Sequence, residues 1–301
     1  MNVTILGSGF GLYGYLPALH ALPCRVVLPE RYRPIIRRRA ELSGLADNIV
    51  FVANDDEAID LADALVIARR PADQAGVISQ LCRRGKLRRL LLEKPLAPDP
   101  AAAAQLFDQI EASGKIVRIG YLFGHTDWGR GLIARAAELR GDLHVRWLFR
   151  AHHYAVDRSN WKRAEAEGGG ALRFYGIQFV SLLAALGFDH VLASRIRATR
   201  PGEAESWDAT LVNRNGARCL LELKSNAAEA EFAITAPADN ITVSRHDPFT
   251  AAADDQDRRV PLLVGVCREF LTSEATTAPS DRKSITLWQA IEDVTRREIV
   301  L

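Results

Sequence analysis

Along the first 120 residues, short apolar runs alternate with segments of helical period. The runs fall at 3–6, 25–28, 49–52, 64–68, 90–92 and 116–119, and Val, Ile and Leu dominate them. Runs without in–out alternation predict strands buried on both faces. The stretches between them, 12–22, 32–43, 55–61, 72–84 and 99–113, read as helices. Strand and helix in strict alternation predict a doubly wound α/β domain, a parallel sheet covered on both sides, over residues 1–120.

The rhythm then changes. Segments 145–151, 195–198, 209–212, 218–223 and 231–235 are strand-like, and Cys219-Leu220-Leu221-Glu222-Leu223-Lys224 partly alternates, as a half-exposed strand does. No long helix separates these strands, so a mostly antiparallel open sheet is expected, in an α+β domain over 121–301. Asn213-Arg214-Asn215-Gly216 reads as a hairpin turn, because Asn and Gly tolerate positive φ. One helix is expected from Gly168-Gly169-Gly170 to about residue 186, and another from about 285 to 300.

Composition narrows the options. With 301 residues, 48% of them hydrophobic, the chain can fill two cores. A net charge of +2, from 39 basic and 37 acidic residues, gives no overall pull toward nucleic acid or a membrane surface. Arginine runs such as Arg37-Arg38-Arg39 and Arg88-Arg89 read as solvated faces. Cys24, Cys82, Cys219 and Cys267 are scattered, with no spacing that suits zinc. No metal site is therefore expected, and reduced thiols fit a cytoplasmic protein. A strand is expected almost from residue 1, so no signal peptide is expected, and no apolar run approaches the ~20 residues that cross a bilayer.

Gly7-Ser8-Gly9-Phe10-Gly11-Leu12 follows the first run directly and opens the first helix. Glycines there permit a tight turn and let backbone N–H groups approach a pyrophosphate, which the helix N-terminus favours. Leu12 stands where a third glycine is usual. Glu30, after the second run, suits a ribose 2′-hydroxyl. Arg31 and Arg33 beside it suit a 2′-phosphate instead, so NAD and NADP both stay open. Arg69 and Pro71 follow the fourth run, at the mouth of the same groove, where Arg69 or Arg70 can meet an anion. After the fifth run comes Glu93-Lys94-Pro95. An ammonium beside a bound cofactor stabilises a developing alkoxide or supplies a proton.

Three stretches resemble the Gfo/Idh/MocA oxidoreductases. They are Gly7-Ser8-Gly9-Phe10-Gly11 with Tyr15-Leu16-Pro17-Ala18-Leu19, then Glu93-Lys94-Pro95-Leu96-Ala97, then Gly168-Gly169-Gly170-Ala171-Leu172 with Gly176-Ile177. The resemblance implies a two-domain NAD- or NADP-dependent enzyme acting on sugars, cyclitols or nucleotide-linked sugars. It implies Lys94 as the lysine beside the nicotinamide, and a homo-oligomer built through the open sheet.

The third stretch departs from the family pattern. An Asp and, four residues later, a His are usual there; this chain has Phe174 and Gln178. Gln orients a substrate but does not shuttle protons. Proton transfer is then expected from Lys94, with Tyr175 or Tyr121 assisting. Arg173, with Arg69 or Arg70, suits an anionic small-molecule substrate. Trp161 and one of His152 and His153 are placed at the substrate rim, and His152 is the candidate. Two alternatives stay open: imine reduction of the thiazolinyl imine reductase type, and a non-catalytic dinucleotide sensor or scaffold.

Overall fold

Six apolar runs become the six strands of one parallel sheet in the computed structural model, which describes residues 1–249 and 257–300. They are β1 (Asn2–Leu6), β2 (Arg25–Pro29), β3 (Ile49–Val52), β4 (Ala64–Ile67), β5 (Arg89–Leu92) and β6 (Ile116–Ile119), in the spatial order β3-β2-β1-β4-β5-β6. Every residue of β4 and β5 is buried, as a sheet covered on both faces requires. The order reverses between β1 and β4, which opens a crevice at the carboxyl ends of those strands.

This unit is made of three pieces of chain: Met1–Leu96, Gln105–His125 and Phe249–Ala278. The expected 1–120 stretch is thus joined by a segment from far downstream. Its helix, Val260–Thr272, was not foreseen. Val260, Leu263, Val266, Cys267 and Phe270 are buried against Leu12, Tyr15, Leu16 and Leu19 of the first helix. Each such side chain contributes roughly 1.5–3 kcal/mol on burial, so the segment belongs to the core. Two strand arginines anchor it. Arg89 donates to the carbonyls of Phe270 and Ser273, and Arg118 pairs with Glu269 at 3.0 Å. Arg89 is therefore buried, not part of a solvated face. The Val117 N–H, on the edge strand, donates to Thr276.

The second unit holds a seven-stranded sheet: β7 (Leu143–Arg150), β8 (Phe188–Ala198), β9 (Ser206–Asn213), β10 (Arg218–Lys224), β11 (Asn226–Ala236), β12 (Ile241–Arg245) and β13 (Thr295–Ile299). The spatial order is β12-β11-β7-β10-β9-β8-β13. Two pairings, β7–β10 and β8–β13, are parallel; the others are antiparallel. On β10, Cys219, Leu221 and Leu223 point inward and the residues between them outward. Asn213 makes the β9–β10 turn, its Oδ1 accepting from the N–H groups of Asn215 and Ala217. The helix Ile177–Ala185 packs against the helix Pro279–Val294.

The helix expected over 285–300 stops at Val294. Thr295–Ile299 is instead a strand, parallel to β8, with Ser194 opposite Thr295. Backbone pairing along an otherwise open edge outweighs helical continuation there.

Candidate cofactor and substrate sites

The glycine turn sits at the order reversal. Gly7 has φ +136°, and a Cβ on it would lie 2.2 Å from the Ala68 carbonyl, so the end of β1 can approach the end of β4 only without a side chain. A Cβ on Gly9 would meet nothing within 4 Å. The turn thus presents open space at its middle glycine, the cradle a pyrophosphate requires. The chain then enters a π-helical stretch, Gly11–Tyr15, continued by the α-helix Leu16–His20. Leu12 is fully buried, so its side chain serves the core and only its backbone faces the turn.

Around β2, Glu30 receives two hydrogen bonds from Arg33, at 2.6 and 3.0 Å, and these with the charge of Arg33 hold its carboxyl below the usual range. Arg33 also lies over the Phe51 ring at 4.0 Å. Arg31 pairs with Asp55 at 2.7 Å and donates to the Tyr32 hydroxyl, which also accepts from the Gly7 N–H at 3.0 Å. Tyr32, which sequence reasoning passed over, thus ties the end of β2 to the glycine turn. Arg69 lies 3.7 Å from the other Asp55 oxygen. Pro71 is the first residue of the helix Pro71–Cys82.

The loop after β5 is held from two sides. Gln74 is fully buried, and its Nε2 donates to the carbonyls of Glu93 and Pro95 at 3.0 Å each. The buried Tyr15 hydroxyl donates to Glu93 Oε2 at 2.7 Å. Burial, then the Glu93 charge and hydrogen bond, raise the pKa of that phenol, so it remains a donor. These contacts fix the backbone on both sides of the half-buried Lys94. Tyr121 occupies the matching place one strand over: Leu92 pairs with Ile119, and the Gly120 N–H donates to Leu92. Lys94 and Tyr121 therefore leave adjacent strand ends at the same edge of the sheet.

In the second unit, the triple glycine packs tightly. Gly170 has φ +84°, and a Cβ on Gly169 would lie 2.2 Å from the Trp161 carbonyl. A π-helical stretch, Ala171–Gly176, follows, so Phe174 and Gln178 are not set one regular turn apart. Gln178 is buried. Phe174 and Tyr175 join an aromatic wall: Trp161–Phe174, Phe174–Tyr175 and Phe149–Tyr175 meet edge to face at 4.8–5.2 Å. Lys162 Nζ lies 5.2 Å from the Phe174 ring centre. Phe149, on β7, was not foreseen, since segment 145–151 reads only as a strand.

Two expected substrate residues sit differently. Arg173 donates to Glu292 at 2.8 Å and to the carbonyls of Pro98 and Glu165. Its charge is committed to this network, where Glu292, despite burial, is held in its ionised form by Arg173 and Arg297. His152 is exposed, and it is His153 that is buried, stacked beside Tyr175. A short helix, His152–Ala155, replaces the strand alternation assumed from the sequence. Burial, followed by the nearby charges of Lys162, Arg163 and His152, pushes the His153 pKa down to about 4, so it is neutral near pH 7.

Residues 1–121 match the family described as an oxidoreductase family with an NAD-binding Rossmann fold, Gfo/Idh/MocA. No curated protein matches the sequence. The fold is similar to KijD10, a 3-ketoreductase from Actinomadura kijaniata in complex with NADP and TDP-benzene, with TM-score 0.68 and 18% identity over 99% of this chain and 98% of that one. It is similar to GenD2 from gentamicin A biosynthesis in complex with NAD, with TM-score 0.71 and 18% identity over 97% and 92%. It is also similar to a levoglucosan dehydrogenase in complex with NADH, with TM-score 0.72 and 15% identity over 98% and 96%. At such identities the likeness is one of fold. Strand order, glycine turn and family match coincide in one stretch of chain, residues 1–121, and give it the architecture of an NAD-binding Rossmann fold.

Proposed function

We propose that the protein transfers a hydride to or from a carbon bearing oxygen on a sugar-like or nucleotide-linked substrate. Lys94 acts as proton donor and oxyanion stabiliser, and Tyr121 is placed to assist. The observation that carries this reading is the doubly braced loop at Lys94, two strands over from the open glycine turn. The residues fit a dinucleotide: Gly7, Gly9, Phe10 and Gly11 form the pyrophosphate cradle, with Glu30, Arg31 and Arg69 toward the adenosine end and Pro71 and Glu93 bordering the groove. When bound, the nicotinamide supplies or accepts the hydride. In the reducing direction, the Lys94 ammonium gives its proton to the substrate oxygen as negative charge develops there. In the oxidising direction the neutral amine takes it back.

The aromatic wall of the second unit is read as the substrate surface. Rings of Trp161, Phe174 and Tyr175 offer apolar faces to a sugar or base, and Lys162 offers a cation to a phosphate or carboxylate. Phe174 in place of a carboxylate also keeps imine reduction in view, since an imine needs only one proton donor. The open face of the second sheet exposes Leu192 and Leu220 beside the Arg146–Glu222 and Arg195–Glu298 pairs, and we read it as the face that joins two copies of the chain.

The test is a pair of measurements on the wild type and Lys94→Met. NADH and NADPH binding is followed by fluorescence, and turnover is followed by nicotinamide absorbance with TDP-linked ketosugars, free ketosugars and a cyclic imine. Retained binding with turnover lowered at least about a hundredfold supports Lys94 as the proton donor. Unchanged turnover removes it from that role.

A further inference from the structure

Arg259 enters the nucleotide-binding unit on the returning segment and stacks on the glycine turn. Its guanidinium carbon lies 4.2 Å from the centre of the Phe10 ring and 5.9 Å from that of Tyr13. Phe10 is the residue directly after Gly9, so its backbone is part of the open cradle. The ring itself is held in place. It meets Tyr13 and Tyr15 edge to face, each at 5.3 Å, and a Cβ on Gly14 would lie 2.4 Å from it. The guanidinium is oriented by Asp257, which accepts from Nε at 2.8 Å and from Nη2 at 2.6 Å. That fork uses two of five N–H donors, and Tyr13 takes a further hydrogen bond from the guanidinium.

We propose that Arg259 is a cofactor-binding residue, one that holds the Phe10 side of the glycine turn and lends positive charge to the dinucleotide pyrophosphate. The inference rests on the nucleotide-binding reading above and adds a residue to it that the turn's own sequence does not contain. Three observations converge. The stack fixes the charge against the turn, well inside the ~8 Å over which salt screens at physiological strength. The Asp257 fork supplies the orientation, so little side-chain freedom is lost when an anion arrives. The glycine turn itself carries no basic side chain, so any cation beside it must come from another part of the chain.

The test uses the full-length protein and four probes: NADH, NADPH, ADP and AMP, the last two by displacement of NADH. Arg259→Met keeps a chain of similar length over Phe10 and removes the charge. It is expected to weaken NADH and ADP about tenfold and AMP markedly less, with the melting temperature little changed. Wild-type affinity for ADP should fall more steeply with added salt than that of the variant. Arg259→Lys, which restores charge without the fork, should recover part of the loss. The proposal is overturned if the Met variant binds ADP as the wild type does. It is also overturned if ADP and AMP weaken equally along with a large drop in melting temperature, the signature of packing alone. A wild type that binds none of the four probes sinks the nucleotide-binding reading itself, a different outcome from wild-type binding that Arg259→Met leaves intact.

Discussion

Residues 7–11 and 168–170 are both glycine-rich, and each leads into a π-helical stretch that continues as an α-helix. Their surroundings differ. Space lies open beside the middle glycine of the first, Gly9, whereas the middle glycine of the second, Gly169, is pressed against the Trp161 carbonyl and its neighbours. The first turn omits side chains both to pack, at Gly7 against the Ala68 carbonyl, and to leave space open, at Gly9. The second omits them so that the chain can pack on itself. A glycine run in a sequence therefore marks a close approach of backbone without saying what approaches.

Gly169→Ala is the hardest blow to the second turn. The new methyl would overlap backbone that cannot rotate away, so stability should fall by at least about 4 kcal/mol. Chemical denaturation, or the absence of soluble protein, reads this out; a fall under 1 kcal/mol would mean the packing is loose.

The helix leaving the second turn carries Tyr175 against His153, which adds a pH signature. His153 has a folded pKa of about 4 against 6.5 for the free group. Between those values the unfolded chain binds a proton that the folded chain does not, so stability rises with pH across that window and this contribution is lost below it. The span corresponds to up to about 3 kcal/mol. His153→Gln should flatten the slope between pH 4 and 6.5, measured by urea midpoints; an unchanged slope would assign it to other groups.

Gly9→Ala sharpens the contrast with Gly169→Ala. Stability should change by less than about 1 kcal/mol, while NADH and ADP bind at least tenfold more weakly, because the methyl occupies pyrophosphate space. Wild-type binding in this variant would place the ligand elsewhere. The smallest effect is expected at the 2′ end. Arg31→Ala should weaken NADPH a few-fold more than NADH, since Arg31 is partly committed to Asp55. Equal losses would mean that Arg31 orders the turn through Tyr32 and does not read the phosphate.

Much of this was legible in the sequence because it is local. The strands of the first sheet are continuous apolar runs, and the glycine turn and Glu93-Lys94-Pro95 follow them at once. What escaped depends on partners distant in sequence. The charged stretch Thr295-Arg296-Arg297-Glu298-Ile299 extends a helical pattern and becomes a strand only because β8 offers an unpaired edge. Arg173 looked like an anion receptor until Glu292 and two carbonyls claimed it. Tyr32 and Arg259 reach the glycine turn from other parts of the chain. Nothing in residues 257–260, Asp-Arg-Arg-Val, announces that role.

The three-piece make-up of the first unit sets an order of events during synthesis. A ribosome releases the six parallel strands early, yet the cover for Leu12, Tyr15, Leu16 and Leu19 is not made until residues 260–270 emerge. For most of translation the nascent chain carries this bare apolar strip, while β7 to β12 have already left the tunnel and can pair among themselves. A fragment cut at residue 121 would keep the strip exposed permanently, and it would leave Arg89 and Arg118 without the carbonyls and carboxylates that receive them. Such a fragment should be sticky and poorly soluble, so the first unit, although it opens the chain, is not completed until the segment ending at Ala278 has emerged.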